Sequence, residues 1–340
     1  MKTDIEIKTY VETLYSELAA KAGKEPVLLL ASGGVDSTVT AALLLKALAP
    51  SQIHLMYMDT GLMRKNETAQ VKAALEKIGT EHLHIVLCED EFLAALKGIA
   101  DPEAKRKTIG DLFITVQERE VKRLNLPSSY FLAQGTICPD LIESGKGSPE
   151  KTGPEENTPV IKSHHNVGSP LVDAKRKEGR LIEPLSKLYK DDVRILGRFL
   201  GVDEETLRRH PFPGPGLAVR ILGEVTKAKC DLLREADALF IDELKRRKNS
   251  AGAVLYDDIW QAFAILLPIR SVRVTGTIRK YGWVLALRAI TSADGMTAEV
   301  YPFLAKDLLE ISARITGTLK EISRVTYDIS AKPPATIEWE

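Results

Sequence analysis

Apolar runs alternate with amphipathic stretches through the first part of the chain. The clearest run is VLLLA at 27–31, which is unbroken and therefore typical of a strand buried on both faces of a parallel sheet. Further strand-like runs and the helical stretches between them lie at 38–49, 53–59, 66–78, 82–88, 102–124 and 130–135. Strands and helices that alternate at these lengths predict a doubly wound α/β sheet.

The alternation stops between about 144 and 180. The tract SGKGSPEKTGPEENTP is rich in Gly, Pro, Ser and charged residues, and it cannot bury enough apolar surface to order itself. We expect 144–180 to be a mobile loop that acts as a lid, because long structureless loops in compact domains are usually lids or linkers. A short strand and an amphipathic helix follow in LIEPLSKLYKDDVRILGRFLG at 181–201.

Pro211, Pro213 and Pro215 interleave with two glycines and mark a boundary between two domains. The first domain then spans 1–210 and the second 211–340. Helical stretches near 227–247, 257–267 and 301–320, and strand-like runs at 271–276 and 283–291, follow the boundary. This mixture predicts a second, smaller domain of the α+β class.

Composition excludes several classes of protein. The 340 residues include 47 Lys and Arg and 47 Asp and Glu, so a partner held by phosphate neutralisation, such as a nucleic acid, is not expected. The longest apolar runs are far too short to cross a membrane. Cys88, Cys138 and Cys230 lie far apart and form no CxxC pair, which argues against a disulfide framework or zinc ribbon and favours a cytoplasmic protein.

The segment Ser32-Gly33-Gly34-Val35-Asp36-Ser37-Thr38 lies between the first buried strand and the next helix. Glycines let a backbone approach a ligand closely, and the first N–H groups of a helix favour a bound anion. The segment therefore predicts a phosphate or pyrophosphate site, although a plain glycine turn is the alternative. It is neither a Walker A loop nor GxGxxG. Asp36 either complements the helix dipole or coordinates Mg²⁺.

SGGVDS after a buried strand resembles the pyrophosphate loop of the N-type ATP pyrophosphatases, an adenine nucleotide alpha hydrolase-like family that includes NAD synthetase and asparagine synthetase. Within that family the chain resembles the ATP pyrophosphatase part of the glutamine-hydrolysing GMP synthetases, from about residue 10 to Glu340. The matching stretches are MDTGLMRKNE at 58–67, DPEAKRKTIGDLF at 101–113, LAQGTICPDLIES at 132–144, IKSHHNVG at 161–168, HPFPGPGLAVRILGEVT at 210–226 and KPPATIEWE at 332–340.

The resemblance implies a ligase that forms a C–N bond. ATP would adenylylate O2 of xanthosine monophosphate (XMP), and ammonia would then displace AMP to give GMP. Mg²⁺ is the implied cofactor, with Asp36 as its ligand. Asp59 and Gly135 end strands at the carboxyl edge, where open α/β sheets bind ligands, although Asp59 equally suits a cap. The residues assigned to ATP are Ser32, Gly33, Gly34, Val35, Asp36, Ser37, Thr38, Asp59 and Gly135.

Lys162, His164 and His165 in IKSHHNVG are the remaining candidate catalytic residues. The loop lacks the lysine of a Walker site, so a cation that neutralises phosphate must come from elsewhere. A lysine that arrives when a lid closes would do this and exclude water. For the two histidines a structural role is the alternative. Asp140 either caps the turn after Pro139 or approaches the metal.

Four residues of the second domain are candidates for binding XMP, namely Arg220, Lys332, Ile337 and Glu338. Arg220 follows the rigid Pro-Gly segment and would hold an anion or form an interdomain ion pair. The tail 332–340 is apolar and constrained by prolines, so it should pack. Lys332 would then bind the XMP phosphate and Glu338 the base or ribose, while docking of the tail at a dimer interface is the alternative.

The resemblance also implies a homodimer through 211–340, although Thr277 and Lys280 replace an acid and a threonine of the family's Gly-Asp-x-Arg-Thr-Tyr. A class I glutaminase needs a cysteine on a glycine-flanked turn, and no cysteine here is flanked by glycine. We therefore expect ammonia to come from a separate glutamine amidotransferase subunit. Two other functions stay open: another adenylating enzyme of the NAD synthetase or tRNA thiolase class, and a non-catalytic nucleotide-binding homologue.

Overall fold

The structure is a computed structural model that describes residues 4–143, 170–292 and 295–340. The chain divides into two compact units. Unit 1 contains Met1–Asp59, Thr68–Leu87 and Leu112–Arg209, and unit 2 contains Thr60–Glu67, Cys88–Asp111 and His210–Glu340. The units therefore differ from the contiguous ranges 1–210 and 211–340, because Thr60–Glu67 and Cys88–Asp111 belong to unit 2.

Unit 1 is built on a five-stranded sheet in the order β3-β2-β1-β4-β5, in which every neighbouring pair is parallel. The strands are β1 (Val27–Leu30), β2 (Ile53–Asp59), β3 (His82–Leu87), β4 (Phe131–Ala133) and β5 (Leu181–Ile182). Up to residue 209 the described helices are α1 (Asp4–Ala22), α2 (Val35–Ala47), α3 (Glu67–Lys77), α4 (Glu89–Ala95), α5 (Pro102–Arg123), α6 (Cys138–Glu143), α7 (Pro170–Lys177), α8 (Lys190–Leu200) and α9 (Glu204–Leu207). The predicted parallel α/β sheet is confirmed.

The core of unit 1 surrounds β1, which is the central strand. Leu28 and Leu29 point to opposite faces of the sheet and both are fully buried, as the unbroken apolar run requires. Leu43 of α2 and Leu196 of α8 are also fully buried in this core. Each such side chain contributes about 1.5–3 kcal/mol of hydrophobic stabilisation, so β1 and α2 hold the loop between them firmly.

Helix α7 corrects the prediction of a mobile loop over 144–180. Its residues Val172 and Lys175 are buried, although the charge-rich sequence suggested a solvated segment. The Lys175 ammonium donates to the Ser128 carbonyl at 3.1 Å and lies 3.9 Å from the centroid of the Tyr130 ring. These contacts, together with the Glu178 carboxylate at 3.1 Å, satisfy a charge that the sequence pattern assigns to solvent. Residues 144–169 lie outside the described part of the chain.

Unit 2 carries a four-stranded sheet, and its α+β class is confirmed. The strands are β6 (Gln261–Thr275), β7 (Ile278–Thr291), β8 (Glu299–Val300) and β9 (Ile322–Tyr327). Strands β6 and β8 pair antiparallel with β7, whereas β9 pairs parallel with it. The helices that follow residue 210 in the described chain are α10 (Lys227–Arg246), α11 (Leu255–Asp258) and α12 (Ala305–Thr318).

The predicted helix near 257–267 is wrong, because most of that stretch belongs to β6. AFAILL at 262–267 is a continuous apolar run, and such a run cannot be assigned to a helix or a strand by periodicity alone. The first six residues of β6 are all buried, which explains why no alternation marks them as a strand. The helices predicted near 227–247 and 301–320 are confirmed.

The described residues also bear on membrane association and redox state. Among them there is no helix both long enough and apolar enough to cross a membrane. None of the three cysteines, all of which are described, forms a disulfide.

Three histidines gather on one face of the β2–β3 pair. His54 Nδ1 lies 3.2 Å from His84 Nε2, and the His54 ring stacks on that of His82 with 4.7 Å between centroids. Burial, assisted by the neighbouring imidazoles, lowers the pKa of His54 to about 4 and also lowers the pKa of His84. The folded protein therefore keeps His54 neutral over a pH range in which a free histidine takes up a proton.

Acidification from pH 7 to pH 5 is expected to reduce the free energy of unfolding through His54. Below about pH 6.5 the unfolded chain binds a proton that folded His54 binds only near its pKa of about 4, so stability is lost across this window. The loss should be about 1 kcal/mol after allowance for solvent screening. Urea unfolding of the wild type and of His54→Gln at both pH values measures it, and the variant should lose less. An equal loss would assign the effect to other groups.

Candidate functional site

The glycine loop joins the end of β1 to the start of α2. Gly33 adopts φ +75°, and a Cβ at this position would lie 2.2 Å from Cγ2 of Val71, so glycine is required. Gly34 is the N-cap of α2 and offers no side chain to cap the helix. The first N–H groups of α2 have no carbonyl partner within the helix, so this end of α2 can receive an anion.

Hydroxyl groups hold the loop in this shape. Ser37 Oγ donates to the Gly34 carbonyl at 3.1 Å and lies 3.2 Å from Ser32 Oγ. Thr38 Oγ1 donates to the same Gly34 carbonyl at 2.9 Å. The residues predicted to bind phosphate therefore form one preorganised turn.

Asp36 has two carboxylate oxygens in different surroundings. Oδ2 accepts a hydrogen bond from Lys190 Nζ at 2.6 Å, whereas Oδ1 is buried and has no hydrogen-bond partner. A buried carboxylate oxygen without a donor suits a cation, and Mg²⁺ prefers such oxygens. The described residues contain no group of three or more His, Cys, Asp and Glu side chains that could hold a metal ion. A Mg²⁺ ion at Asp36 would therefore take its other ligands from nucleotide phosphates and water.

Two cations at the loop were missed by the sequence reasoning. Lys190 is the first residue of α8 and pairs with Asp36 across 154 positions of sequence. Arg209 Nη1 donates to the Gly33 carbonyl at 2.7 Å. Lys190 begins the amphipathic helix that follows strand β5. This position places it at the carboxyl edge of the sheet, and the sequence could have indicated it as a candidate for the ATP site on that ground. Together the two residues supply positive charge that the loop itself lacks.

Gly135 and Asp59 end strands at the carboxyl edge, as predicted. A Cβ on Gly135 would lie 2.9 Å from the backbone carbon of Asp36 and from the Ser37 nitrogen, so glycine allows β4 to meet the loop. Asp59 Oδ2 accepts a hydrogen bond from Thr68 Oγ1 at 2.6 Å. This contact ties Asp59 to the first turn of α3 through a side chain, and the role of Asp59 in binding ATP stays a prediction.

The predicted catalytic residues Lys162, His164 and His165 lie outside the described residues. Asp140 Oδ2 accepts a hydrogen bond from the Ile137 N–H at 3.0 Å. Asp140 therefore caps the start of α6, which is one of the two roles that the sequence left open.

Arg220 and Glu338, two candidates for binding XMP, contact each other in unit 2. The Arg220 side chain is fully buried, and its Nε and Nη2 donate to the two oxygens of Glu338 at 3.0 and 2.8 Å. Gln261 Nε2 donates to Glu338 at 2.9 Å. The guanidinium lies 4.1 Å from the ring centroid of Phe263 and 5.0 Å from that of Phe212. Removing one partner of such a buried pair typically costs about 3–5 kcal/mol.

Ile337 and Lys332, the other two candidates for binding XMP, also make contacts within unit 2. Ile337 packs against a small cluster formed by Phe263, Ile265 and Ala286. Lys332 Nζ donates to the Gly295 carbonyl at 2.7 Å, and the backbone of Lys332 forms two hydrogen bonds with Ala298. The tail therefore packs, and Ile337 directly precedes Glu338, the residue that pairs with Arg220.

Comparison with known proteins gives the following matches. Residues 248–339 match the family described as GMP synthase C terminal domain, and residues 18–109 match the family described as Asparagine synthase. The chain is 49% identical over 97% of its length to a GMP synthase [glutamine-hydrolyzing] from Zymomonas mobilis, and covers 59% of that protein. It is 50% identical over 98% of its length to the protein of the same name from Pelodictyon phaeoclathratiforme, and covers 60% of it.

A third relative with this name, from Bartonella bacilliformis, is 48% identical over the whole chain, which covers 62% of that protein. The chain thus spans about 60% of the length of the curated relatives it matches. Among solved structures, an NH3-dependent NAD synthetase from Campylobacter jejuni matches with a TM-score of 0.42 and 14% identity, over 59% of this chain and 76% of that one. A structural similarity at this level is too low to support a conclusion.

Proposed function

We infer from the place of this chain among the GMP synthases that it is a C–N ligase which makes GMP from XMP, ATP and ammonia. The observation that supports this most is about 49% identity to GMP synthases along nearly the whole chain. O2 of XMP attacks the α-phosphorus of ATP, the bond to the β-phosphate breaks, and pyrophosphate leaves. Ammonia then attacks C2 of the purine, the bond from C2 to O2 breaks, and AMP leaves.

We assign the β- and γ-phosphates of ATP to the loop at the start of α2. The N–H groups at the start of the helix suit phosphate oxygens, and the hydroxyls of Ser37 and Thr38, which donate to the Gly34 carbonyl, hold the loop in the shape that presents them. Lys190 and Arg209 offset the negative charge that develops on the departing pyrophosphate, and such fixed charges stabilise a transition state strongly. The unpartnered Oδ1 of Asp36 would hold Mg²⁺, which when bound supplies further positive charge to these phosphates.

Lys190→Gln is expected to raise the KM for ATP about tenfold, because a charged hydrogen bond to phosphate is worth about 1.5–3 kcal/mol. The affinity for XMP should not change, since XMP is assigned to unit 2. Steady-state kinetics with each substrate varied in turn measures the effect. Lys187→Gln is the matched control, because Lys187 precedes the same helix and is exposed. An equal effect of both substitutions would remove Lys190 from the ATP site.

We assign XMP to unit 2, with Lys332 on its phosphate and Glu338 and Ile337 on the base and ribose. The buried Arg220 orients the Glu338 carboxylate. The Glu338 side chain remains 18% exposed, and this exposed part is available to a ligand. Lys162, His164 and His165 complete the proposal as catalytic residues, on the resemblance of IKSHHNVG to the family.

We propose that the active form is a homodimer that uses the β6–β7 hairpin. The distal part of this hairpin exposes several large apolar side chains, namely those of Ile269, Val272, Val274, Ile278 and Tyr281. Val272, Val274 and Tyr281 share one face of the hairpin, because Val272 pairs with Tyr281 and Val274 lies two residues further along the same strand. Such a face is suited to cover its counterpart in a second copy. Sedimentation of the wild type and of Val274→Glu at micromolar concentration tests this, and a monomeric wild type would contradict it.

We also propose that the protein works in the cytoplasm with a glutamine amidotransferase as its source of ammonia. The unbridged cysteines suit a reducing compartment. The relatives are named as glutamine-hydrolyzing enzymes, which supports a glutaminase partner.

The release of AMP and pyrophosphate from ATP tests the proposed function. With ammonium chloride present, both products should form with XMP, and neither should form with deamido-NAD or aspartate in its place. Release without XMP, or only with another acceptor, would point to a different adenylating enzyme of this fold.

A further inference from the structure

Lys105 is a fully buried lysine on α5 that none of the roles above uses. Its ammonium donates to the carbonyls of Ala218 and Ile221 at 3.2 and 2.7 Å and pairs with the Glu340 carboxylate. The other oxygen of Glu340 accepts from the Gly223 N–H at 3.3 Å. One buried charge thus ties α5 to the 216–223 segment and to the tail 332–340.

Three fully buried cations hold four of the last five residues of the tail. Arg288 donates to the carbonyls of Thr336 and Ile337 at 2.9 and 2.8 Å, Arg220 binds the Glu338 carboxylate, and Lys105 binds Glu340. All three side chains are 0% exposed. Buried charges are retained only where partners offset the cost of removing them from water, so the tail and the cations stabilise each other.

Lys105 is placed to set the position of Glu338 in particular. Arg220 belongs to the same segment as Ala218 and Ile221, whose carbonyls accept from Lys105. Lys105 therefore fixes both the segment that carries Arg220 and the tail residue two positions after Glu338. Burial lowers the pKa of Lys105, and the neighbouring Glu340 carboxylate opposes this shift, so Glu340 helps to keep Lys105 charged.

We propose that Lys105 is a positioning residue which, through Glu340, holds the tail in the conformation that binds XMP. This rests on the proposed function, because XMP is assigned to the tail there. Lys105 touches no substrate in this account. Its loss should therefore weaken XMP binding and raise the KM for XMP, while kcat at saturating XMP and the affinity for ATP stay near their wild-type values.

The test compares Lys105→Met, Glu340→Gln, the double variant Lys105→Met/Glu340→Met and the matched control Lys107→Met. Lys107 is an exposed lysine on the same helix. Hydrogen exchange of the amides of 332–340 reports the tail, and calorimetry with XMP or ATP alone reports binding. In Lys105→Met we expect at least tenfold faster tail exchange and tenfold weaker XMP binding. The double variant should recover part of the slow tail exchange and part of the XMP affinity, since it leaves no unpaired buried charge.

Should Lys105→Met fail to fold, Glu340→Gln carries the test, because it keeps an acceptor for Lys105 and should weaken XMP binding severalfold. Wild-type XMP affinity in the variants would overturn the positioning role, even with a loosened tail. Equal losses in Lys107→Met would overturn it too. A wild-type protein that binds no XMP would instead overturn the proposed function. In that case, hydrogen exchange of 332–340 in the wild type and in Lys105→Met still shows whether Lys105 anchors the tail.

Discussion

Replacement of Asp36 by asparagine is expected to lower kcat about 10³-fold with the fold intact. Asparagine has nearly the same shape and keeps an oxygen that can accept from Lys190, so the turn should survive. The substitution removes the charge from a buried carboxylate whose Oδ1 has no other partner. A neutral oxygen is a much poorer ligand for Mg²⁺, and the charge on the departing pyrophosphate is then less well stabilised.

Turnover at saturating ATP, XMP and ammonium, with Mg²⁺ raised until the rate no longer changes, measures this effect. Asp90→Asn is the matched control, because Asp90 also lies in the first turn of a helix but is exposed. Circular dichroism of both variants checks the fold. Wild-type turnover in Asp36→Asn would show that Asp36 serves the helix dipole and not a metal.

The 340-residue chain is expected to make GMP with ammonium salts and to make none with glutamine. A glutaminase of the class I type needs a cysteine thiolate, and thiolates form where the pKa is low. Cys230 does not meet this requirement, because burial raises the pKa of its thiol to about 11. Cys88 is also buried, and Cys138 begins α6 next to Pro139 without a flanking glycine.

GMP formation is followed with ammonium chloride raised until the rate no longer changes, or with glutamine in buffer shown to be free of ammonia. The ammonium reaction is the positive control for an active preparation. Synthesis from glutamine by the pure chain would overturn this expectation. A purified amidotransferase subunit that restores the use of glutamine would support the proposed partner.

The parts of the fold that the sequence predicts well are those with long or unbroken patterns. VLLLA, the helix after it and the glycine turn between them all have local causes, so the loop of unit 1 follows from the sequence. The strand at 262–267 was mistaken for a helix because burial on both faces removes alternation. Helix α7 was missed because two of the groups that receive the buried Lys175 ammonium, the Ser128 carbonyl and the Tyr130 ring, come from outside the segment.

The charge pairs could not be predicted, because they join residues far apart in the chain. Lys190 and Asp36 are separated by 154 positions, and Lys105 and Glu340 by 235. Arg220 was expected to hold an anion, and the anion that it binds in the structure is the carboxylate of Glu338. Residue type and a rigid neighbouring turn predict that such an arginine binds an anion, but they do not identify which one.

The central claim is that O2 of XMP is the oxygen that becomes adenylylated. Its most direct test uses XMP labelled with ¹⁸O at O2, together with ATP and ammonium, and mass spectrometry of the products. If O2 attacks the α-phosphorus and leaves with AMP, the AMP should carry the ¹⁸O, with one labelled AMP for each GMP. Unlabelled AMP formed alongside GMP, with the ¹⁸O found in pyrophosphate or water, would contradict the account.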